Sequence, residues 1–330
     1  MIPKRFIIFS LIFLSLILTP IGLNIFYNFQ LKAPSTSKEE QIFVIKPGQP
    51  ITQIGENLHQ AGLTKNAFAF RLLVAQMGIG KNIQAGDFRL SPNMDSRQIA
   101  ELLTHGAIDI WITFPEGLRK EEIAEIIEAN LKDGDNEKYS FDKTEFLKLA
   151  TEGYMFPDTY LIAKDAAASD IASRLKTTFD EKVDQKTLAK SAAFGLSSPE
   201  VVILASLIER ESKSNEERPV IAGILLNRIN SGIPLQVDAT VQYAKGYDGA
   251  KDAWWPSVTQ EDYKQVQSLY NTYRHVGLPP GPIANPGIES IRAAAEPADT
   301  PFLYYLHDSG GKIHYAETSD QHNQNIQEFL

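Results

Sequence analysis

The chain contains no cysteine. That excludes a thiol nucleophile, a disulfide framework and any thiolate-bound metal. Histidine is scarce, with 6 in 330 residues, at 59, 105, 275, 307, 314 and 322. They form no HExxH and no close ligand spacing, and although His307, His314 and His322 could cluster, the plainer reading is loop or surface histidines. No metal and no cofactor are expected. Basic residues are also short: 32 Lys and Arg against 41 Asp and Glu leave a formal net charge of −9. No basic face stands out for a phosphate backbone, so no nucleic-acid partner is expected. The serine-hydrolase pattern G-x-S-x-G is missing, and "AKGYDGAKDAWWP" lacks the Gly-Lys-Ser/Thr ending of a phosphate loop.

What is present reads as globular, with 43% apolar, 22% charged and 10% aromatic residues, enough for one large core or two moderate ones. The N-terminus "MIPKRFIIFSLIFLSLILTPIGLNIFYNF" places Lys4 and Arg5 before an uncharged run from Phe6 to Phe26. About 21 apolar residues suffice to span roughly 30 Å of hydrocarbon. Basic residues on the N-terminal side put residues 1–5 in the cytoplasm, residues 6–28 in the membrane as an uncleaved helix, and the remainder outside. A cleaved signal peptide would have a shorter apolar core and a small-x-small site, which Asn24 to Asn28 do not offer. Residues 29–41 are polar with Pro and Ser and read as a linker. Residues 42–112 read as a small α+β module. "IFVI" is a strand, Pro47-Gly48 a turn, and Ile51, Ile54 and Leu58 recur at helical spacing before Gly62. "DSRQIAELLTHG" supplies Asp95 or Ser96 as an N-cap. Residues 113–330 read as a larger mixed α+β domain. It has a polar loop and helix across "GDNEKYSFDKTEFLKLA", and it becomes rich in Gly, Pro, Asn and Tyr after Val241.

One helix in that domain is unusual. From Ser198, with Pro199 and Glu200 in its first turn, it runs through "VVILASLI" and ends in Glu209, Arg210 and Glu211. A helix apolar on every side belongs in a domain centre. A carboxyl leaving it near the C-terminus meets both desolvation and the negative end of the helix dipole, which disfavour the charged form. A carboxylic acid still protonated near neutral pH is what a general acid must be. Surface pairs such as Glu209–Arg210 or Glu211–Lys213 account for the same residues, and periodicity does not choose between the two glutamates. Downstream, "PLQVDATVQY", Trp254-Trp255-Pro256 and "YNTYRHVGLPPGPIANPG" bring amides, hydroxyls, aromatics and rigid turns together. Sugars are bound this way, with aromatic faces on the rings and amides on the hydroxyls; a set of well-turned structural loops would have the same composition.

Five ordered segments, "EGYMFPDTY", "LASLIERES", "NRINSGIPLQVDATVQY", "YNTYRHVGLPPGPIANPG" and "PADTPFLYYLHDSGGKIHYAETSDQHN", resemble the endolytic murein transglycosylase (YceG-like) family from about residue 42 to the end. The resemblance implies a membrane helix, a LysM-like module and a catalytic domain with a loop-rich active site. It implies cleavage of MurNAc-GlcNAc β-1,4 bonds in nascent peptidoglycan strands to leave 1,6-anhydroMurNAc ends. Matched to this chain, the family's single acid/base falls on Glu209 and not Glu211, which is left as an orienting residue. The polar substrate-binding positions fall on Gln236, Asp238, Thr240, Asn271, Tyr273 and Asn285. Glycan strands, the cell membrane and cell-wall synthases are the implied partners. The implied location is the cytoplasmic (inner) membrane, single-pass, with the catalytic part on the extracytoplasmic side. Leu269 stands where the family usually has proline before "YNTY", and "KPGQPITQI" stands where a LysM prefers "GDTL". Two alternatives remain: a muramidase in which Asp238 positions water, and a non-catalytic scaffold that only binds glycan.

Overall fold

The computed structural model describes residues 4–105, 107–131 and 141–330, except for the side chains of residues 4–17, 105, 107 and 108. The expected polar loop at "GDNEKYS" lies outside the described residues, as do Met1–Pro3. The fold is mixed α+β and separates into two compact units. One runs to Ile112 and takes in Tyr160–Lys164; the other holds the described residues from Thr113 to Thr159 and Asp165–Leu330.

The first unit begins with α1 (Lys4–Leu31), one helix of 28 residues that continues into the segment expected as linker. Among the described residues no single helix is both long and apolar enough to cross a membrane. Beyond α1 the chain is held down: the Ser35 amide donates to the Pro92 carbonyl at 3.1 Å, and the Gln41 side chain donates to the Ala61 carbonyl at 3.0 Å. The elements that follow are β1 (Gln41–Ile45), α2 (Ile51–Gln60), α3 (Ala67–Met77), β2 (Gly86–Leu90), α4 (Ser96–His105) and β3 (Ala107–Thr113). The sheet order is β1-β2-β3-β4, with the fourth strand, β4 (Thr159–Ala163), supplied by a later return of the chain. β1 and β2 pair antiparallel, Phe43 opposite Phe88, and alternation sends Phe43 and Ile45 inward while Ile42 and Val44 face out. The helix ends follow local chemistry. Asn66 Oδ1 accepts the Ala69 amide to start α3, and Gly78 closes it at φ +69°. At α4, Asp95 and Gln98 cap each other reciprocally.

The second unit contains α5 (Lys120–Leu131), α6 (Lys143–Leu149), α7 (Ala168–Lys182), α8 (Gln185–Lys190), α9 (Ser198–Glu211), α10 (Arg218–Asn230), α11 (Asp238–Lys245), α12 (Gln260–Gln265) and α13 (Ile288–Ala295). It closes with the hairpin β5 (Tyr304–His307) and β6 (Ile313–Ala316) and with α14 (Ser319–Phe329). α9 is the axis of this unit. A capping box between Ser197 and Glu200 starts it, and every residue from Val201 to Ile208 is buried. α13 lies against α9, its Ala293, Ala294 and Ala295 small enough for close approach. Ser206, the one polar residue in the buried run, donates to the Ile203 carbonyl and accepts the Ile283 amide at 3.1 Å. α10 makes an equally tight approach, because a Cβ on Gly223 would lie 2.3 Å from the Ala298 carbonyl oxygen and 2.9 Å from Thr300 Cγ2.

That approach reverses the usual effect of a helix glycine. In an open helix Gly→Ala stabilises by about 1 kcal/mol; here Gly223→Ala forces the backbone apart at a cost of about 1–3 kcal/mol. The expected result is a melting temperature lower by several degrees in differential scanning calorimetry. A rise would show that the α10–Ala298 contact is looser than described.

Candidate active site

α9 delivers two carboxylates at its C-terminus, and the helix geometry separates them. At about 100° per residue, side chains two positions apart point to nearly opposite sides. Glu209 turns toward the starts of α10 and α13. Its Oε1 accepts Arg218 Nη2 at 2.9 Å, and its Oε2 accepts the Gly287 amide at 2.9 Å. The Glu209 and Arg218 side chains are 6% and 12% exposed, so this ion pair is largely withdrawn from water. Glu116 shares Arg218 at 3.5 Å, and burial together with the Glu209 charge raises the Glu116 pKa above the usual carboxylate range. A Cβ on Gly287 would sit 1.8 Å from Glu116 Oε1, so any larger residue there would displace the Glu116 carboxylate from its present position.

Glu211 turns the other way, into a cleft of about 660 Å³ lined by Arg228, Leu235, Gln236, Asp238, Tyr263 and Tyr273, by the hairpin residues Tyr304–His307, and by Ser319, His322, Ile326 and Leu330 at the C-terminus. The volume suits a small ligand or a segment of a polymer. Glu211 meets the cleft on one side and is enclosed by protein on the others. Burial pushes its carboxyl up to about 7, and the Asp238 charge adds to the rise. The Tyr305 hydroxyl, donating to Glu211 Oε2 at 2.7 Å, and Arg210 pull in the opposite direction. Oε1 of Glu211 accepts no hydrogen bond among the described residues.

Gln236, Asp238 and Tyr273, three of the residues expected from sequence, line this same cleft. Gln236 holds φ at +56°, a left-handed backbone that costs a non-glycine residue about 1–2 kcal/mol. Its amide donates to the Thr272 carbonyl at 3.2 Å, and its side-chain oxygen accepts Arg228 Nη2. Asp238 opens α11 and accepts two phenols, Tyr273 on Oδ1 and Tyr263 on Oδ2 at 3.2 Å. Those two rings stack with centroids 3.9 Å apart. Burial and the bond to Asp238 raise the Tyr273 pKa above the usual phenol range.

Thr240, Asn271 and Asn285 do not line the cleft; each is a buried pin, Thr240 and Asn271 beneath the cleft-lining turns and Asn285 in the loop that leads to Gly287. Thr240 Oγ1 bonds the Val237 carbonyl and Thr272 Oγ1, tying α11 to the "YNTY" turn. Asn271 donates to the Tyr263 and Val266 carbonyls and accepts the Tyr273 amide, which keeps the stacked tyrosines together. Asn285 spans Leu118, Met155 and Glu152. The tryptophans expected as sugar platforms are occupied elsewhere. Trp255 stacks under the Arg210 guanidinium at 3.8 Å and donates to Glu122, and Trp254 donates to Glu125. Sequence reasoning did not single out Tyr305 and Arg228, and it set His307 and His322 aside as loop or surface histidines. For the hairpin residues the signal was the Tyr-rich "FLYYLHD" of the tail, whose alternation puts Leu306 on the opposite face from Tyr305 and His307.

The YceG-like family model matches residues 43–328 of the chain. Two Streptococcus pneumoniae proteins named endolytic murein transglycosylase are 26% identical over 365 aligned residues, covering 99% of this chain and 65% of theirs. The chain thus spans about 65% of the length of those relatives. A Bacillus subtilis protein of the same name is 32% identical over 311 residues, covering 87% of this chain and 84% of its own. The crystal structure of a yceG-like protein from Listeria monocytogenes superposes with a TM-score of 0.58 at 29% identity, covering 87% of this chain and 99% of that one.

Outside the cleft lining, Glu152 is displaced even further than Glu211. Burial pushes its carboxyl up to about 8, with the Glu121 charge adding to the rise. Its Oε1 accepts the Asn285 side chain at 2.9 Å and the Lys120 amide at 3.1 Å. A carboxyl that titrates near 4.5 unfolded and near 8 folded binds more protons in the folded state between those values. Its contribution to stability is therefore complete below pH 4.5 and is lost as pH rises through 8. Glutamine keeps the acceptor oxygen and has no proton to lose. Glu152→Gln should flatten the fall in melting temperature between pH 5 and 8 relative to the parent chain. An unchanged slope would mean that Glu152 is ionised throughout.

Proposed function

This chain belongs to the YceG-like family, and on that premise we propose that it is a membrane-anchored lytic transglycosylase that cuts MurNAc-GlcNAc β-1,4 bonds in peptidoglycan strands, with Glu211 as its single general acid/base. The names of its relatives support the reaction. The observation that carries the choice of residue is the position of Glu211: in the cleft, beside Asp238, Gln236 and Tyr273, with its carboxyl near 7. The resemblance alone favoured Glu209, but that carboxylate has both oxygens engaged, by Arg218 and by the Gly287 amide, and faces away from the cleft residues. Its role on this reading is to lock the end of α9.

At neutral pH a group titrating near 7 is present in both forms, which suits the two halves of the reaction. Protonated Glu211 gives its proton to the glycosidic oxygen as the bond from C1 of MurNAc breaks. The resulting carboxylate takes the proton from the C6 hydroxyl of the same sugar as O6 bonds to C1. No water is consumed, and the acid is restored. Most glycosidases divide these tasks between two carboxylates. The occupation of both Asp238 oxygens by tyrosine hydroxyls favours one carboxyl acting alone over a muramidase with Asp238 as base.

The proposal extends to location. The uncharged run after Lys4 and Arg5 supports a single-pass anchor over residues 6–28, with residues 1–5 in the cytoplasm and the catalytic part outside. Beyond α1 the first unit serves as the LysM-like module, and cell-wall synthases are its neighbours at the membrane.

Mass spectrometry of muropeptides released from purified peptidoglycan tests the assignment. Glu211→Gln should lower anhydro-product release by about 10²–10⁴-fold. Glu209→Gln should keep release within about tenfold for the folded fraction while lowering the melting temperature, since it breaks a largely buried ion pair. The reverse pattern would return the chemistry to Glu209. Products heavier by one water would indicate a muramidase, and no cleavage by the parent chain would indicate a scaffold.

A further inference from the structure

α3 has an unusual composition for a helix on a small module. Its sequence "AFAFRLLVAQM" carries only Arg71 and Gln76 as polar residues. One side, Ala69, Phe70, Leu73 and Val74, is buried in the first unit. The opposite side is apolar too, yet open: Phe68 is 67% exposed and Leu72 38%, with Ala75 exposed one turn further on. A helix apolar all round is expected to be covered on every side, and exposed apolar stripes of this kind mark contact surfaces.

The position of α3 relative to α1 says what covers it. The Tyr27 hydroxyl donates to Gln76 Oε1 at 2.9 Å, and Lys65 Nζ lies 4.2 Å over the Phe29 ring. Gln76 lies in the last turn of α3 and Lys65 just before its first, whereas Tyr27 and Phe29 are separated by about 3 Å along α1. α3 therefore crosses α1 instead of running beside it. Gln76 belongs to the exposed stripe, so the stripe is on the side where α1 leaves the module. Leu23, Ile25, Phe26 and Phe29 of α1 are exposed as well, around more than one side of that helix. Tyr27 and Lys32 at the end of α1 are residue types that settle at the boundary between hydrocarbon and water.

We infer that the Phe68–Leu72 face of α3 rests in the interfacial layer of the bilayer, lying across the emerging anchor helix and fixing the module flat on the membrane. This rests on the proposed anchor, and it adds a second, in-plane contact of the kind that apolar helix faces make with lipid headgroups and the upper acyl chains. A lone span leaves its cargo free to tilt; a crossing helix at the span's end holds the orientation.

The absence of native cysteine permits single-cysteine labelling of the full chain. Ile21→Cys, Phe68→Cys and Leu72→Cys, each carrying an environment-sensitive fluorophore, are reconstituted in vesicles of phosphatidylcholine with a minor share of phosphatidylglycerol. Fluorescence is compared with and without nitroxide-bearing lipid. The expected result is loss of most of the signal at all three positions, with Phe68 and Leu72 quenched best by a nitroxide near the headgroups and Ile21 by a deeper one. Quenching at Ile21 without quenching at Phe68 and Leu72 would overturn the inference and leave the anchor standing. A blue-shifted but unquenched Phe68 probe would mean that protein, such as a second copy of the chain, covers the face, which also overturns it. No quenching at Ile21 would remove the anchor and the inference together.

Discussion

The chemistry proposed for this protein depends on the desolvation of one carboxyl at the end of a fully buried helix. α9 is packed on all sides from Val201 to Ile208, and its last turn emerges where the packing divides. Glu209 and Glu211, two residues apart, leave the helix on nearly opposite sides and so experience different surroundings. One meets a guanidinium and a backbone amide. The other meets the wall of a cleft, a phenol and a neighbouring carboxylate. Environment, not residue type, assigns the roles.

The rest of the second unit can be understood as support for that arrangement. The hairpin β5–β6 brings Tyr305 to Glu211, and α14 leans on the hairpin through His322 against Tyr304 and Phe329 against His314. The turn at Gln236 keeps an unfavourable backbone because Arg228 and Thr272 both hold it. The stacked Tyr263 and Tyr273 fix Asp238, whose charge in turn helps to raise Glu211. The longest of these contacts, Tyr305 to Glu211 and Thr272 to Gln236, join segments far apart in sequence. The cleft is therefore a property of the folded unit and not of any one motif.

The division between what was legible in the sequence and what was not follows from the range of the interactions. α9 was legible, because its caps and its apolar run are local, and so was α4 with its Asp95 cap. Composition marked the polar, aromatic turns as candidates, and only the family resemblance singled out Gln236, Asp238 and Tyr273 within them. It singled out Thr240, Asn271 and Asn285 as well, since a buried pin and a ligand-facing group use the same residue types. The distinction depends on burial, which a single sequence does not carry. The choice between Glu209 and Glu211 had the same difficulty. Spacing gave both an apolar neighbour four residues earlier, and only the partners arriving from Arg218, Gly287 and Tyr305 separate them. The fourth strand of the first unit's sheet was missed for a related reason, because Thr159–Ala163 returns to it from well beyond the module.

The most direct measurement is a site-resolved titration of the Glu211 carboxyl by ¹³C NMR, on the parent chain and on Tyr305→Phe. The account requires a midpoint near 7 in the parent. It requires a higher midpoint in the variant, since the lost hydroxyl favoured the charged form. A parent midpoint in the ordinary carboxylate range, or one that Tyr305→Phe leaves in place or lowers, would contradict the assignment of Glu211 as the proton carrier.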